Sequence, residues 1–96
     1  MTSFGGEAKS LALLAIKNAR EGDFAGADES MSKSWKSLEK SHEAQTNLLS
    51  REAEEEDVQV SVFMLHASDH LASAQVIYLL AEELIYLHKE REYKHV

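Results

Sequence analysis

VSVFMLHASDHLASAQVIYLLAEELIYL, residues 60–87, is the stretch on which the fold turns. Its apolar residues recur at spacings of three and four, which predicts a helix rather than a strand. Asp57 is a natural N-cap, so the helix is expected from Val58 to Tyr93, roughly 54 Å at about 1.5 Å per residue. Two stripes run along it. One reads Val58, Val62, Leu65, Asp69, Ala72, Val76, Leu79, Glu83, Tyr86; the other reads Phe63, His66, His70, Ile77, Leu80, Leu84, Leu87. Two further helices of the same chain can cover one stripe but hardly both. The remaining face, with its repeat of about 3.5 residues, calls for further copies of the chain in a coiled-coil-like seam.

Upstream, two shorter helices are readable. The first is expected from about Ser3 or Gly6 to Arg20, with Leu11, Leu14, Ala15 and Ile16 on its apolar side. Glu21-Gly22-Asp23 stops it, Gly22 as the C-terminal break and Asp23 as the next N-cap. The second carries Phe24, Ala27, Met31, Trp35, Leu38, His42, Gln45 and Leu49 at helical spacing. It fades in the acidic run Arg51–Asp57, read as a hydrated connection. Past Leu87 the apolar pattern ends, so Lys89–Val96 is expected to fray, with His88 and His95 solvated. The expected fold is therefore all-α: one domain over residues 1–96, an antiparallel three-helix bundle that associates with further copies, the homotrimer being what the resemblance described below implies.

Composition narrows the function. The chain has 96 residues, no proline and 44% hydrophobic residues, which suits one small helical core. A net charge of −7 argues against nucleic acid or an anionic membrane as a direct partner. No apolar run is long enough to span a bilayer, and Met1–Gly6 lacks the pattern of a secretory leader, so a cytoplasmic protein is expected. The absence of cysteine removes disulfides, thiolate zinc sites and a cysteine nucleophile, leaving histidine as the strongest nucleophile near neutral pH.

That directs the reading to His66-Ala67-Ser68-Asp69-His70. His66 and His70 at i, i+4 have the spacing of two zinc ligands, and His-x-x-Asp-His echoes an inverted zincin motif. Asp stands in place of the catalytic Glu, however, and no clear third ligand is present. Glu39-x-x-His42 resembles half of a di-iron bundle motif whose second copy is missing. A covalent carrier is the other chemical reading, because a neutral imidazole can attack a phosphoryl donor and hold the group as a phosphoramidate. A histidine phosphotransfer domain also carries such a His, but the Lys and Gly that follow it there are Asp69 and His70 here. The residues alone leave a purely structural, hydrogen-bonded role and a chemical role both open.

Taken together, Gly6-Glu7-Ala8-Lys9-Ser10, Gly22-Asp23-Phe24-Ala25 with Ala27-Asp28, His42 with Gln45-Thr46 and Leu48-Leu49, and Ser61-Val62 through His66 to Asp69-His70-Leu71 resemble a known family. It is the enzyme IIA component, lactose/cellobiose class, of the sugar phosphotransferase system. The resemblance implies a cytoplasmic trimer that takes phosphate from the histidine-containing phosphocarrier protein. The phosphate then passes to a cysteine of enzyme IIB during uptake of a lactose/cellobiose-type sugar, with the membrane engaged only through IIB and IIC. It implies His66 as the phosphorylated histidine and His70 as its supporting neighbour. Asp69 matches the residue that gathers one structural metal ion per trimer, magnesium (Mg2+). His42 is read as a polar core or interface residue. Ser68 and Ala72-Ser73 depart from the family's usual Gln and Met-Thr. A docking cleft around His66 is expected to include Phe63 and the α-helical segment Ala8–Ala12. The competing class is a non-catalytic helical metal-binding or interaction module.

Overall fold

The computed structural model describes residues 2–54 and 62–94, with side chains at 4–47, 50, 68, 69 and 71–94. Three helices follow one another: α1 Thr2–Arg20, α2 Phe24–Glu54 and α3 Val62–Lys94. Among the described residues there is no strand.

The α1–α2 turn forms where the sequence predicts it. Gly22 adopts φ +86°, the left-handed conformation that a residue with a Cβ resists. Gly22 N–H donates to Ala19 O at 3.0 Å and Asp23 N–H to Asn18 O at 2.8 Å, which satisfies two terminal carbonyls of α1. One residue later the chain is capped in the opposite sense. Asp23 Oδ1 accepts from Gly26 N–H at 3.0 Å, satisfying a free donor of the first turn of α2. A Cβ on Gly26 would run into that same Asp23 carboxylate, so the cap and the glycine form one unit.

The buried face of α1 is made of alanine. Ala8, Ala12, Ala15 and Ala19 are almost wholly buried, while Leu13 and Leu14 are exposed. They face an α2 surface rich in serine, on which Ser30, Ser34, Ser37 and Ser41 are buried beside Ala27, Met31 and Leu38. Small residues on both sides let the helices approach closely, and the Ser30 and Ser34 hydroxyls find partners across the seam. Ser34 Oγ donates to Ala8 O at 2.7 Å, and Asn18 Nδ2 donates to Ser30 Oγ at 3.3 Å. The expected stripe on α2 is thus rotated toward its serines: Trp35 and His42 lie outside the core, exposed. The expected apolar side of α1 is likewise shifted, since Leu14 faces solvent.

α3 closes the bundle with Leu71, Ala74, Ala81 and Ile85. Ala81 and Ile85 join Ala12, Ala15, Ala19, Ala27 and Met31 in one cluster; Leu71 and Ala74 join Ala8 and Leu38 in a second. Tyr78 packs against both clusters and its ring lies 5.5 Å from that of Trp35. Helix boundaries differ from expectation at the ends. α1 already starts at Thr2, and α3 continues through the charged residues to Lys94, where expectation had it fray. Tyr86 Oη donating to Glu90 Oε1 at 3.0 Å and Lys89 reaching Asp28 of α2 at 3.0 Å hold that last stretch. The expected helix start at Val58 and the acidic connection at 55–57 lie outside the described residues.

The three packings are unequal. α1 packs extensively against α2 and against α3, whereas α2 and α3 touch least. The result is a rod of 63 × 16 × 14 Å with one side of α3 left without a partner.

Candidate functional site

His66, Asp69 and His70 all fall within α3. At positions i, i+3 and i+4 of one continuous helix they occupy adjacent places on the same side of successive turns. The side chains of His66, His70 and Phe63 lie outside the described residues. Asp69 is described and exposed, and its neighbour Ser68 is half-buried. Gln45 Nε2 donates to Ser68 Oγ at 2.7 Å, which pins α2 to α3 about half a turn from His66. That contact links residues 23 apart, and no spacing rule could have announced it.

Below Asp69 runs the unpartnered apolar side of α3. Val76, Leu79, Leu80, Leu84, Tyr86 and Leu87 are all exposed, Leu79 at 62% and Leu87 at 59%. Leu13 of α1 is also exposed. Single exposed leucines are ordinary, but six large apolar residues exposed on one helix mark a candidate binding surface. Neither expected stripe is the buried face: Leu71, Ala74, Tyr78, Ala81 and Ile85, which belong to neither, face the chain's own core with half-buried Ile77 beside them, and every other stripe residue whose side chain is described is exposed.

Other expected site residues are placed differently. Within the segment Ala8–Ala12, Ala8 and Ala12 are 0% exposed and sealed against the other helices, while Lys9 and Leu11 are half-buried and Ser10 is exposed. His42 is exposed and lines an open groove with Trp35, Leu38, Glu39 and Gln75, rather than the core. His88, expected in solvent, is half-buried in a pocket of about 350 Å³ with Ala19, Arg20, Arg91 and Glu92. His95 lies outside the described residues. The Tyr78 hydroxyl is pushed above its ordinary value of 10.0 by partial burial and then by the nearby Glu82 carboxylate. The Tyr86 hydroxyl is raised chiefly by its hydrogen bond to Glu90, with Glu90 and Glu83 adding negative potential.

Among the described residues no three His, Asp or Glu side chains gather within one chain. Asp69 is exposed, at one end of the apolar row. Among the described residues no helix is long and apolar enough to cross a membrane.

Known proteins resemble the chain along nearly its whole length. Residues 1–89 match the family model described as PTS system, Lactose/Cellobiose specific IIA subunit. The PTS system N,N'-diacetylchitobiose-specific EIIA component of Escherichia coli K12 is 41% identical over 85 residues, covering 88% of this chain and 73% of that protein. The lactose-specific EIIA component of Staphylococcus epidermidis is 33% identical, covering 94% and 86%. Among solved structures, the cellobiose-specific enzyme IIA from Bacillus anthracis superposes with a TM-score of 0.86 at 40% identity, covering 95% of this chain and 84% of that one. A chain of the solution structures of the IIA(Chitobiose)–HPr complex of Escherichia coli superposes with a TM-score of 0.82 at 35% identity, covering 95% and 88%. On this shared sequence and fold, the chain belongs to the lactose/cellobiose-specific IIA subunits of the phosphotransferase system.

Proposed function

We propose that this IIA subunit is a cytoplasmic phosphoryl carrier with His66 as the phosphorylated residue. The observation that supports the reading is the family match along residues 1–89, which takes in His66 on α3. The donor is the histidine-containing phosphocarrier protein, the partner named in the complex that a similar chain forms. A ring nitrogen of His66 attacks the phosphorus of the donor's phosphohistidine; its N–P bond forms as the donor's N–P bond breaks, and the donor imidazole leaves neutral. A cysteine thiolate of enzyme IIB then attacks the same phosphorus, forming an S–P bond and releasing His66. The protein's part is positioning and charge stabilisation, because each imidazole or thiolate is both nucleophile and leaving group in turn. His70, one turn on, supports the phosphoryl group, and the sugar moved by the system is of the lactose/cellobiose type.

The working form is a homotrimer with α3 at its centre. The chain exposes 6696 Å², where a compact monomer of 10.8 kDa exposes about 5,500 Å². Most of the exposed large apolar residues lie on α3, among them Val76, Leu79, Leu80, Leu84 and Leu87. Three copies of Asp69 then meet near the axis, where close carboxylates need a cation or a shared proton. Three Asp69 carboxylates would hold a magnesium ion there, which would offset two of their three negative charges and fix the register.

Incubation with phosphoenolpyruvate, enzyme I and the phosphocarrier protein is the test. One added phosphoryl group, acid-labile and base-stable, is expected on the wild type and none on His66→Ala. Labelling that survives His66→Ala but not His70→Ala would falsify the assignment.

A further inference from the structure

Where the last turn of α1 packs on the C-terminal part of α3, Arg20, His88 and Arg91 line one pocket of about 350 Å³, with buried Ala19 beside them and Glu92 as the acid among them. His88 is half-buried and the two arginines are exposed. Two of the chain's three arginines thus meet in one place, in a chain of net charge −7. Among the described residues no ion pair or hydrogen bond engages the side chain of Arg20, His88, Arg91 or Glu92. Several lysines behave otherwise: Lys33, Lys89 and Lys94 each hold a carboxylate, at 3.4, 3.0 and 3.8 Å. Arg20 and Arg91 lie in the last turns of their helices, where a cation offsets the helix dipole. That role does not account for their meeting. Lys17 O, Asn18 O and Ala19 O at the end of α1 already accept from Glu21, Asp23 and Gly22 N–H, and the arginine donors stay free.

We propose that this pocket binds a small phosphate dianion, as free phosphate or as the phosphate of a monoester. Each guanidinium can give two parallel N–H donors to phosphate oxygens, and the His88 imidazole a further one. Donors carried by two helices can reach a tetrahedral group from different sides. A carboxylate offers only two oxygens, which one guanidinium already fills. At physiological ionic strength charges more than about 8 Å away are largely screened, so the local excess of cations outweighs the negative charge of the whole chain. The pocket has the size that takes a small ligand rather than a bare ion, and Glu92 is the group there that can accept from a hydroxyl of an ester such as a sugar phosphate. His88 lies about 33 Å beyond His66 along α3, at about 1.5 Å per residue. Binding in this pocket is therefore separate from the proposed phosphohistidine and stands whatever the role of His66.

Amide NMR of the isotope-labelled full chain tests this, with glucose 6-phosphate, inorganic phosphate and glucose as probes at constant ionic strength. Saturable shifts around Ala19–Arg20 and His88–Glu92 are expected with glucose 6-phosphate, half-complete at about millimolar concentration, and none with glucose. Arg20→Gln and Arg91→Gln should each weaken binding by about tenfold, the loss of charge-assisted hydrogen bonds. Arg20→Lys and Arg91→Lys, which keep the charge but not the fork, should weaken it less. Circular dichroism on every variant separates lost binding from lost helix. The two phosphate sources are told apart by affinity and by Glu92→Gln. An ester is the ligand where glucose 6-phosphate binds at least about threefold tighter than inorganic phosphate and Glu92→Gln removes that preference. Free phosphate is the ligand where the two bind alike and Glu92→Gln tightens both by removing a repulsion. No saturable shift at the pocket with either phosphate, or shifts unchanged by Arg20→Gln and Arg91→Gln, would overturn the proposal.

Discussion

Ser34 shows how a polar residue can be a core residue. Its hydroxyl is fully buried, and it donates to Ala8 O at 2.7 Å, so the group is satisfied without a water or a longer side chain. Ser34→Ala should lose about 1 kcal/mol, the net value of one neutral hydrogen bond, because Ala8 O keeps its helical partner. Ser34→Leu should cost more, about 1–3 kcal/mol, by forcing the α1–α2 seam apart. Urea denaturation at fixed chain concentration distinguishes the two. Tyr78 gives a pH effect of known sign. Its folded pKa is raised above 10.0, so the folded state holds the proton more tightly than the unfolded chain. That stabilisation is fully present below pH 10 and is lost as pH rises through the folded value. Stability should therefore fall in strong alkali, and Tyr78→Phe should make the fall shallower, read from melting curves beside the phenolate absorbance.

The α1–α2 junction concentrates three adjoining signals of helix termination and initiation. Gly22 carries the positive φ that closes α1, and Asp23 caps α2 through Gly26 N–H. Gly22→Ala should cost about 1 kcal/mol because the turn needs the left-handed region. Asp23→Ala should cost about as much through the lost cap. Gly26→Ala is expected to displace the Asp23 carboxylate, since the new methyl occupies its place. Its cost should largely disappear in the Asp23→Ala background. A double-mutant cycle of melting curves measures that coupling, and additive losses would refute a shared unit.

At the scale of the molecule, the outstanding feature is elongation. The radius of gyration is 16.6 Å, where a compact domain of 96 residues has about 12–13 Å. A rod of three helices has too little interior for the apolar residues of α3, and association of copies is how such a surface leaves water. In the proposed trimer, Asp69 is the residue at which association and the proposed ion would meet. Asp69→Leu should leave a trimer at least as strong as wild type, since three close carboxylates become three apolar groups. It should also abolish any response of the trimer to chelator. Sedimentation with and without chelator decides, and a wild-type trimer insensitive to both chelator and pH would remove the metal from Asp69.

Some of this was legible from sequence alone. Helical periodicity, Gly22-Asp23 and the absence of proline determined three helices and the turn between the first two, because those signals act within a few residues. The excess of apolar residues on α3 likewise predicted surface that the chain itself does not cover, but the stripes missed the buried face: Val76, Leu79, Leu80 and Leu87, drawn from both, are exposed, and Leu71, Ala74, Ala81 and Ile85, drawn from neither, are buried. Which face of α1 and α2 turned inward was not legible. Leucine at 14 and tryptophan at 35 outrank alanine and serine in hydrophobicity, yet Ala8, Ala12, Ser30 and Ser34 are buried, because closeness of helix axes depends on both partners at once. The Gln45–Ser68 bond and the gathering of Arg20 with His88 and Arg91 were equally invisible. Each joins residues far apart in the chain, and only the tertiary packing of one helix on another brings them within reach.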